Sequence, residues 1–381
     1  MSASGRICES KESGFFCAFC KKKTTFAPNF RRNRRKKIQF FINNETMNLK
    51  EEKYSKYYLV QEMMGTVDTV RKFNPACSQF VADAVAKTGR LMFSGEGSSR
   101  IMPSKNAGRK AKTWGLDINV QTEGSHQACE YDLSKFAVCL ASNSGRTKET
   151  LMLANDLKAK GNELRFGLTA NVDTPLEAAC VKSHVLQCGW ENAVAATKSV
   201  VEQAMFCESI IWNVAGKDMS KAIVGLPEKL EQALTLPVNP EIVEWVKGAK
   251  TIYFAGMNDG VAEELTLKTN EITRRKSDFL EGTYALHGIE EVMQEGDIVF
   301  VVQPIESEYE KYQTVFNNAG VHVVAIDTKP TPFTTIVVPE AGEMQPYVYL
   351  CAGWNILVEV GISDGINLDK PQRARKVGNE M

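Results

Sequence analysis

The sequence predicts an α/β protein built from two tandem copies of one unit, each a parallel sheet covered by helices on both faces. Two observations carry that expectation. Short continuous apolar runs, Leu91-Met92-Phe93-Ser94 and 136–142 among them, alternate with helix-like stretches; strands apolar on both faces belong to parallel sheets sandwiched between helices. The runs then recur: Ile252-Tyr253-Phe254-Ala255-Gly256 and 298–303 follow the first pair at a common offset of 161 residues, the mark of an internal repeat.

Taken in order, the first strand enters Gly95-Glu96-Gly97-Ser98-Ser99 and a helix-like stretch to Lys112. The second, 136–142, enters Asn143-Ser144-Gly145 and a helix over about 146–160. Residues 164–170 and 183–188 read as the third and fourth strands, and a long helix over 193–215 closes the copy. In the second copy, 321–327 and 334–339 echo the last two strands. Residues 216–241 contain Pro227, Pro237 and Pro240 and read as a linker. The expected units are therefore a basic extension over 1–46, a first domain over 47–215, and a second over 242–381.

Composition narrows the function classes. The 381 residues are 43% hydrophobic and 24% charged, with no net formal charge, as in a soluble globular protein. No apolar run approaches the ~18 residues of a membrane-spanning helix. The neutral balance hides an asymmetry: residues 1–50 hold 12 Lys/Arg against 3 Asp/Glu, and the remainder 34 against 43. The basic end, with Lys21-Lys22-Lys23 and 31–37, shows no helical or strand period; like charges at that density resist compaction. It reads as an unstructured extension, or as the product of a start codon placed ahead of Met47 or Met63. Cys17 and Cys20 form a lone C-x-x-C, short of the four ligands of a structural zinc site. Neither nucleic-acid nor membrane binding is expected of the body. Ten unevenly spaced cysteines in so long a chain favour reduced thiols and a cytoplasmic setting.

The two copies differ where ligands of open α/β sheets bind, beyond the carboxyl ends of the strands. There the first copy has Ser142-Asn143-Ser144-Gly145-Arg146-Thr147 and the second has Gln303-Pro304-Ile305-Glu306. Hydroxyls and free N–H groups at a helix start favour an anion, so only the first copy keeps an anion cradle, with Ser98 and Ser99 beside it.

GEGSSR, SNSGRTKET and ENAVAATKS, with the tandem repeat and the C-terminal tail, resemble the double sugar isomerase (SIS) domain family of phosphosugar isomerases and amino-sugar-phosphate deaminases. The resemblance covers roughly residues 60–381 and implies flavodoxin-like three-layer αβα domains. It implies phosphate binding by Ser98, Ser99, Ser142, Ser144 and Thr147, and weaker sugar contacts from Val194 and Ala196. It assigns catalysis to Lys268 and Glu271, to His287 sixteen residues further on, and to Lys376, five residues after Pro371. The implied reaction is aldose–ketose isomerisation of a hexose or hexosamine 6-phosphate by proton transfer between C1 and C2, with or without deamination. A fructosamine-phosphate deglycase and a non-catalytic sugar-phosphate sensor are the alternatives. The resemblance also implies a homodimer with shared sites, His287 coming from the neighbouring chain.

Two departures stand out. Ala196 replaces a serine of the family motif, and the glutaminase domain of glutamine-dependent relatives is missing, so glutamine-dependent synthesis is not expected. No cofactor is expected either. The four histidines are scattered, and Gly256-Met257-Asn258-Asp259-Gly260 lacks the G-x-G-x-x-G of a dinucleotide loop.

Overall fold

The computed structural model describes residues 46–376 and 379; the basic stretch read as an extension lies outside them except for Thr46. Two five-stranded sheets are present, parallel throughout. The first contains β1 (Arg90–Gly95), β2 (Asn119–Gly124), β3 (Ala137–Ala141), β4 (Arg165–Thr169) and β5 (Lys182–Val185), in the order β2-β1-β3-β4-β5. The second contains β6 (Ile252–Gly256), β7 (Ser277–Glu281), β8 (Ile298–Val302), β9 (His322–Asp327) and β10 (Thr334–Val337), in the order β10-β9-β8-β6-β7. Read within each copy, both follow 2-1-3-4-5, the flavodoxin-like order, whose binding crevice opens between the first and third strands.

The central strands behave as their sequences require: every residue of β3, β6 and β8 is buried. The second strand of each copy, β2 and β7, was not foreseen. Each is an edge strand bonded to one neighbour, with mostly half-exposed or exposed polar residues, so neither leaves a continuous apolar run. His287 follows the unforeseen β7 and a single 3-10 turn, Tyr284–Leu286.

The helix expected over 193–215 is shorter, Lys198–Val214. The buried Glu191 carboxylate accepts from the Thr197 N–H at 2.8 Å and takes the Ser199 hydroxyl. These bonds hold the preceding stretch out of the helix, where it can face a ligand. Residues 216–241 carry the helix Leu226–Leu234, whose Leu226, Leu230, Ala233 and Leu234 are buried in the same core as Phe254 and Trp354. The helix Tyr58–Met64 joins that core through Leu59, Val60 and Met63.

One close approach brings the two copies together. Gly260 precedes the helix Val261–Thr273 with φ +87°, and a Cβ there would lie 2.5 Å from the Met102 Cα. Glycine alone fits both the backbone angle and the gap. The helix from the second copy thereby rests on the helix Ile101–Thr113 of the first.

Candidate functional site

A cavity of about 460 Å³ opens at the carboxyl ends of β1 and β3, within the size range of small-molecule sites. Ser98 and Ser99 come from the turn after β1, Ser144 and Thr147 from the turn after β3. Val194 and Ala196 come from the stretch held by Glu191, Lys268 and Glu271 from the Val261–Thr273 helix, and Lys376 from the tail.

The turn after β3 is built by its own side chains. The Ser142 and Thr147 hydroxyls are 2.8 Å apart, the Arg146 N–H donates to Ser144 Oγ at 3.1 Å, and Gly145 sits at φ +66°. Ser142 is buried and does not line the cavity; it holds Thr147 in place. The turn leads into the helix Lys148–Ala159, so hydroxyls and the positive helix end point the same way.

The same cavity is lined by a buried charge cluster. The Lys268 ammonium is fully buried; it donates to Ser98 Oγ at 2.8 Å and to Glu271 Oε2 at 2.6 Å, and pairs with Glu264 Oε1 at 3.3 Å. Burial works against the ammonium, but Glu271 and Glu264 outweigh it and raise its pKa. Glu264 is also fully buried; burial raises its pKa, against the pull of Lys268 and of the Ser98 hydroxyl. Glu271 keeps 29% side-chain exposure, so of the two carboxylates it is the one a ligand can reach.

Lys376 donates to the Ala193 carbonyl at 2.6 Å, and burial lowers its pKa, opposed by Glu191 and Glu62. Its tail is anchored by Asp369, whose carboxylate accepts from the Tyr58 and Leu59 N–H groups at 3.1 and 2.8 Å. The Asp369 carbonyl takes the Val194 N–H at 3.2 Å, and Glu62 takes the Ala193 N–H at 3.2 Å. The tail, the Tyr58–Met64 helix and the stretch held by Glu191 thus form one bonded unit.

The structure does not bring every expected residue together. His287 is exposed and outside the cavity; its Nε2 lies 3.4 Å from the Thr283 hydroxyl. Glu264, Glu191, Glu62 and Asp369 were not singled out from the sequence as site residues. A signal existed for Glu264, which stands four residues before Lys268 on the same helical face. Among the described residues no group of three or more His, Cys, Asp or Glu is placed to hold a metal ion, and no helix is long and apolar enough to cross a membrane.

No family model and no curated protein matches the chain. Solved structures do. The C-terminal domain of glucosamine-fructose-6-phosphate aminotransferase from Francisella tularensis aligns with a TM-score of 0.67 at 16% identity, over 83% of this chain and 98% of that one. Glucosamine-6-phosphate deaminase from Thermotoga maritima aligns at 0.63 and 18%, over 82% and 99%. Tagatose-6-phosphate ketose/aldose isomerase from Escherichia coli aligns at 0.62 and 15%, over 84% and 98%. At these identities the likeness establishes the fold, two tandem SIS-like domains.

Proposed function

We propose that the protein is a phosphosugar isomerase that interconverts the aldose and ketose forms of a hexose or hexosamine 6-phosphate. The observation that carries this reading is the buried Lys268, which joins Ser98 and the reachable Glu271 in the cavity that Ser144 and Thr147 also line. In this reading the phosphate is held by the turn after β3 and by Ser98 and Ser99, as a remote handle that orients the sugar. Glu271 moves the proton between C1 and C2. Lys268 stabilises the negative charge that develops on the sugar oxygen from a buried position. Lys376 closes the sugar side. Ring opening needs a further acid or base, and the exposed His287 supplies it to the cavity of a second copy of the chain. A sensor would need the cradle but not a reachable carboxylate paired to a buried lysine.

The charge balance favours an amine-bearing substrate. Glu96, Glu149 and Glu271 line the cavity against Lys268 and Lys376. A phosphate dianion alone makes no use of that excess, whereas a sugar ammonium does. Release of ammonia or of a larger amine, as in a deaminase or a fructosamine-phosphate deglycase, is the second reading. The seven described cysteines are free thiols, which supports action in a reducing cytoplasm.

The test is a panel of hexose, hexosamine and fructosamine 6-phosphates in deuterated water, read for ketose, for released amine and for deuterium at C1 or C2. Isomerisation with deuterium uptake is expected. Binding without turnover or exchange would leave only the sensor, and no binding would misplace the phosphosugar site.

A further inference from the structure

The Val261–Thr273 helix comes from the second copy, yet its Lys268 and Glu271 serve a cavity whose other walls come largely from the first. The seat of that helix therefore sets the distance from Glu271 to the hydroxyl turn. Besides the Lys268–Ser98 bond, two ion pairs tie it to the Ile101–Thr113 helix. In its first turn, Glu263 pairs with Lys105, both side chains less than a quarter exposed. At the start of the helix, Asp259 is nearly buried and its carboxylate is shared: Oδ1 accepts from the Val261 N–H at 3.0 Å, and Oδ2 accepts from Arg109 Nη1 at 2.7 Å. Arg109 is thus bonded to the group that caps the helix bearing the proposed base.

We propose that Arg109, with Lys105 as a second tie, is a positioning residue that holds Glu271 at its working depth through Asp259 and the Val261–Thr273 helix. The lever is long. Val261, whose N–H Asp259 holds, and Glu271 stand about 15 Å apart along the helix at 1.5 Å per residue. A tilt of about 4° at one end therefore moves the other by about 1 Å, a misplacement that can cost about a hundredfold in rate. The hydroxyl turn is unaffected, because it is built within the first copy. Loss of either tie should therefore slow turnover without weakening phosphosugar binding.

This inference rests on the isomerase reading, and the experiment separates the two. Kinetics of the full-length wild type, Arg109→Gln, Arg109→Lys and Lys105→Gln are measured on a 6-phosphate the wild type turns over, with calorimetric binding and thermal midpoints alongside. Arg109→Gln should lower kcat by about tenfold or more while KM and Kd stay within about threefold. Arg109→Lys should recover most of the loss, and Lys105→Gln should show a smaller loss of the same kind. A folded Arg109→Gln protein with wild-type kcat, or a loss confined to KM, overturns the proposal. If Arg109→Gln does not fold, Arg109→Lys and Lys105→Gln decide it: both retaining wild-type kcat would overturn it, and a kcat loss at constant KM in Lys105→Gln would uphold it. A wild type that turns over no member of the panel fails before any variant is made, and both readings fall together.

Discussion

The two copies share one strand order and divide the chemistry unequally. After its third strand the first copy has the hydroxyl turn Ser142–Thr147, whereas the second has Gln303-Pro304. Their first long helices differ the other way. The eighth and eleventh residues of Val261–Thr273 are Lys268 and Glu271, and those of Ile101–Thr113 are Gly108 and Ala111. One cavity therefore receives both the hydroxyl turn and the charged pair. The smaller cavity beside Gln303, about 160 Å³, receives neither. Its Lys110 is already engaged by the buried Glu208 at 2.8 Å and by Glu343 at 3.0 Å. A duplicated unit has kept its architecture twice and placed its hydroxyl turn and its buried charged pair on opposite copies.

The largest test of that division is Glu271→Gln, which keeps the shape of the side chain and removes the base. We expect kcat to fall by about two to four orders of magnitude with phosphosugar binding nearly intact. Turnover within about threefold of wild type would remove Glu271 from the role.

A mixed-dimer experiment tests whether the division extends to a second chain. Glu271→Gln and His287→Ala are unfolded together and refolded. If His287 serves the cavity of its neighbour, one site of each mixed dimer collects both lesions and the other collects none. Random pairing then returns roughly a quarter of wild-type activity. If both residues act within one chain, every site keeps a lesion and no activity returns.

What the sequence made legible follows the same physical line. The central strands announced themselves because both faces are buried, as in the AVCLA of β3 and the IVFVV of β8. The edge strands β2 and β7 stayed hidden, since NVQTEG and SDFLE carry no such run. The hydroxyl turn was legible because its residues are contiguous. Lys268 and Glu271 were visible as a spaced pair, but nothing local marked them out from a surface ion pair; the resemblance did. Asp369 on Tyr58 and Leu59, or Arg109 on Asp259, could not be read at all. Those bonds join residues more than a hundred positions apart, and only the folded chain brings them together.

A smaller effect separates the two turns. Ser144→Ala with Thr147→Val should raise KM by about tenfold or more, since hydrogen bonds to a charged group are worth about 1.5–3 kcal/mol each. Turnover at saturation should change little, because the phosphate is remote from the reacting carbons. Gln303→Ala, at the corresponding place in the second copy, should leave KM unchanged. A KM that responds to Gln303 and ignores Ser144 would place the phosphate in the wrong copy.

The smallest effects concern backbone strain, and here the copies should respond with opposite signs. Both turns use a left-handed residue, Gly145 at φ +66° and Gln303 at φ +52°. At Gly145 a Cβ would come within 2.6 Å of the Thr174 side chain, and Thr174 is itself fixed in a capping box with Glu177. Gly145→Ala therefore combines an unfavourable φ with a collision that its neighbour cannot relieve by turning aside, and should destabilise by about 1–3 kcal/mol. It should also raise KM, since the turn carries Ser144 and Thr147. Gln303 bears the left-handed angle with a side chain attached, a conformation that costs roughly 1–2 kcal/mol for an ordinary residue. Gln303→Gly relieves that cost but gives the unfolded chain more freedom, so a net gain of at most about 1 kcal/mol is expected, with kinetics unchanged. Thermal midpoints of the two variants, measured beside wild type, decide the matter: a drop for Gly145→Ala and a small rise for Gln303→Gly. A drop for both would mean that the Gln303 side chain contributes more to the smaller cavity than its backbone angle costs, and the second turn would then have a structural duty of its own.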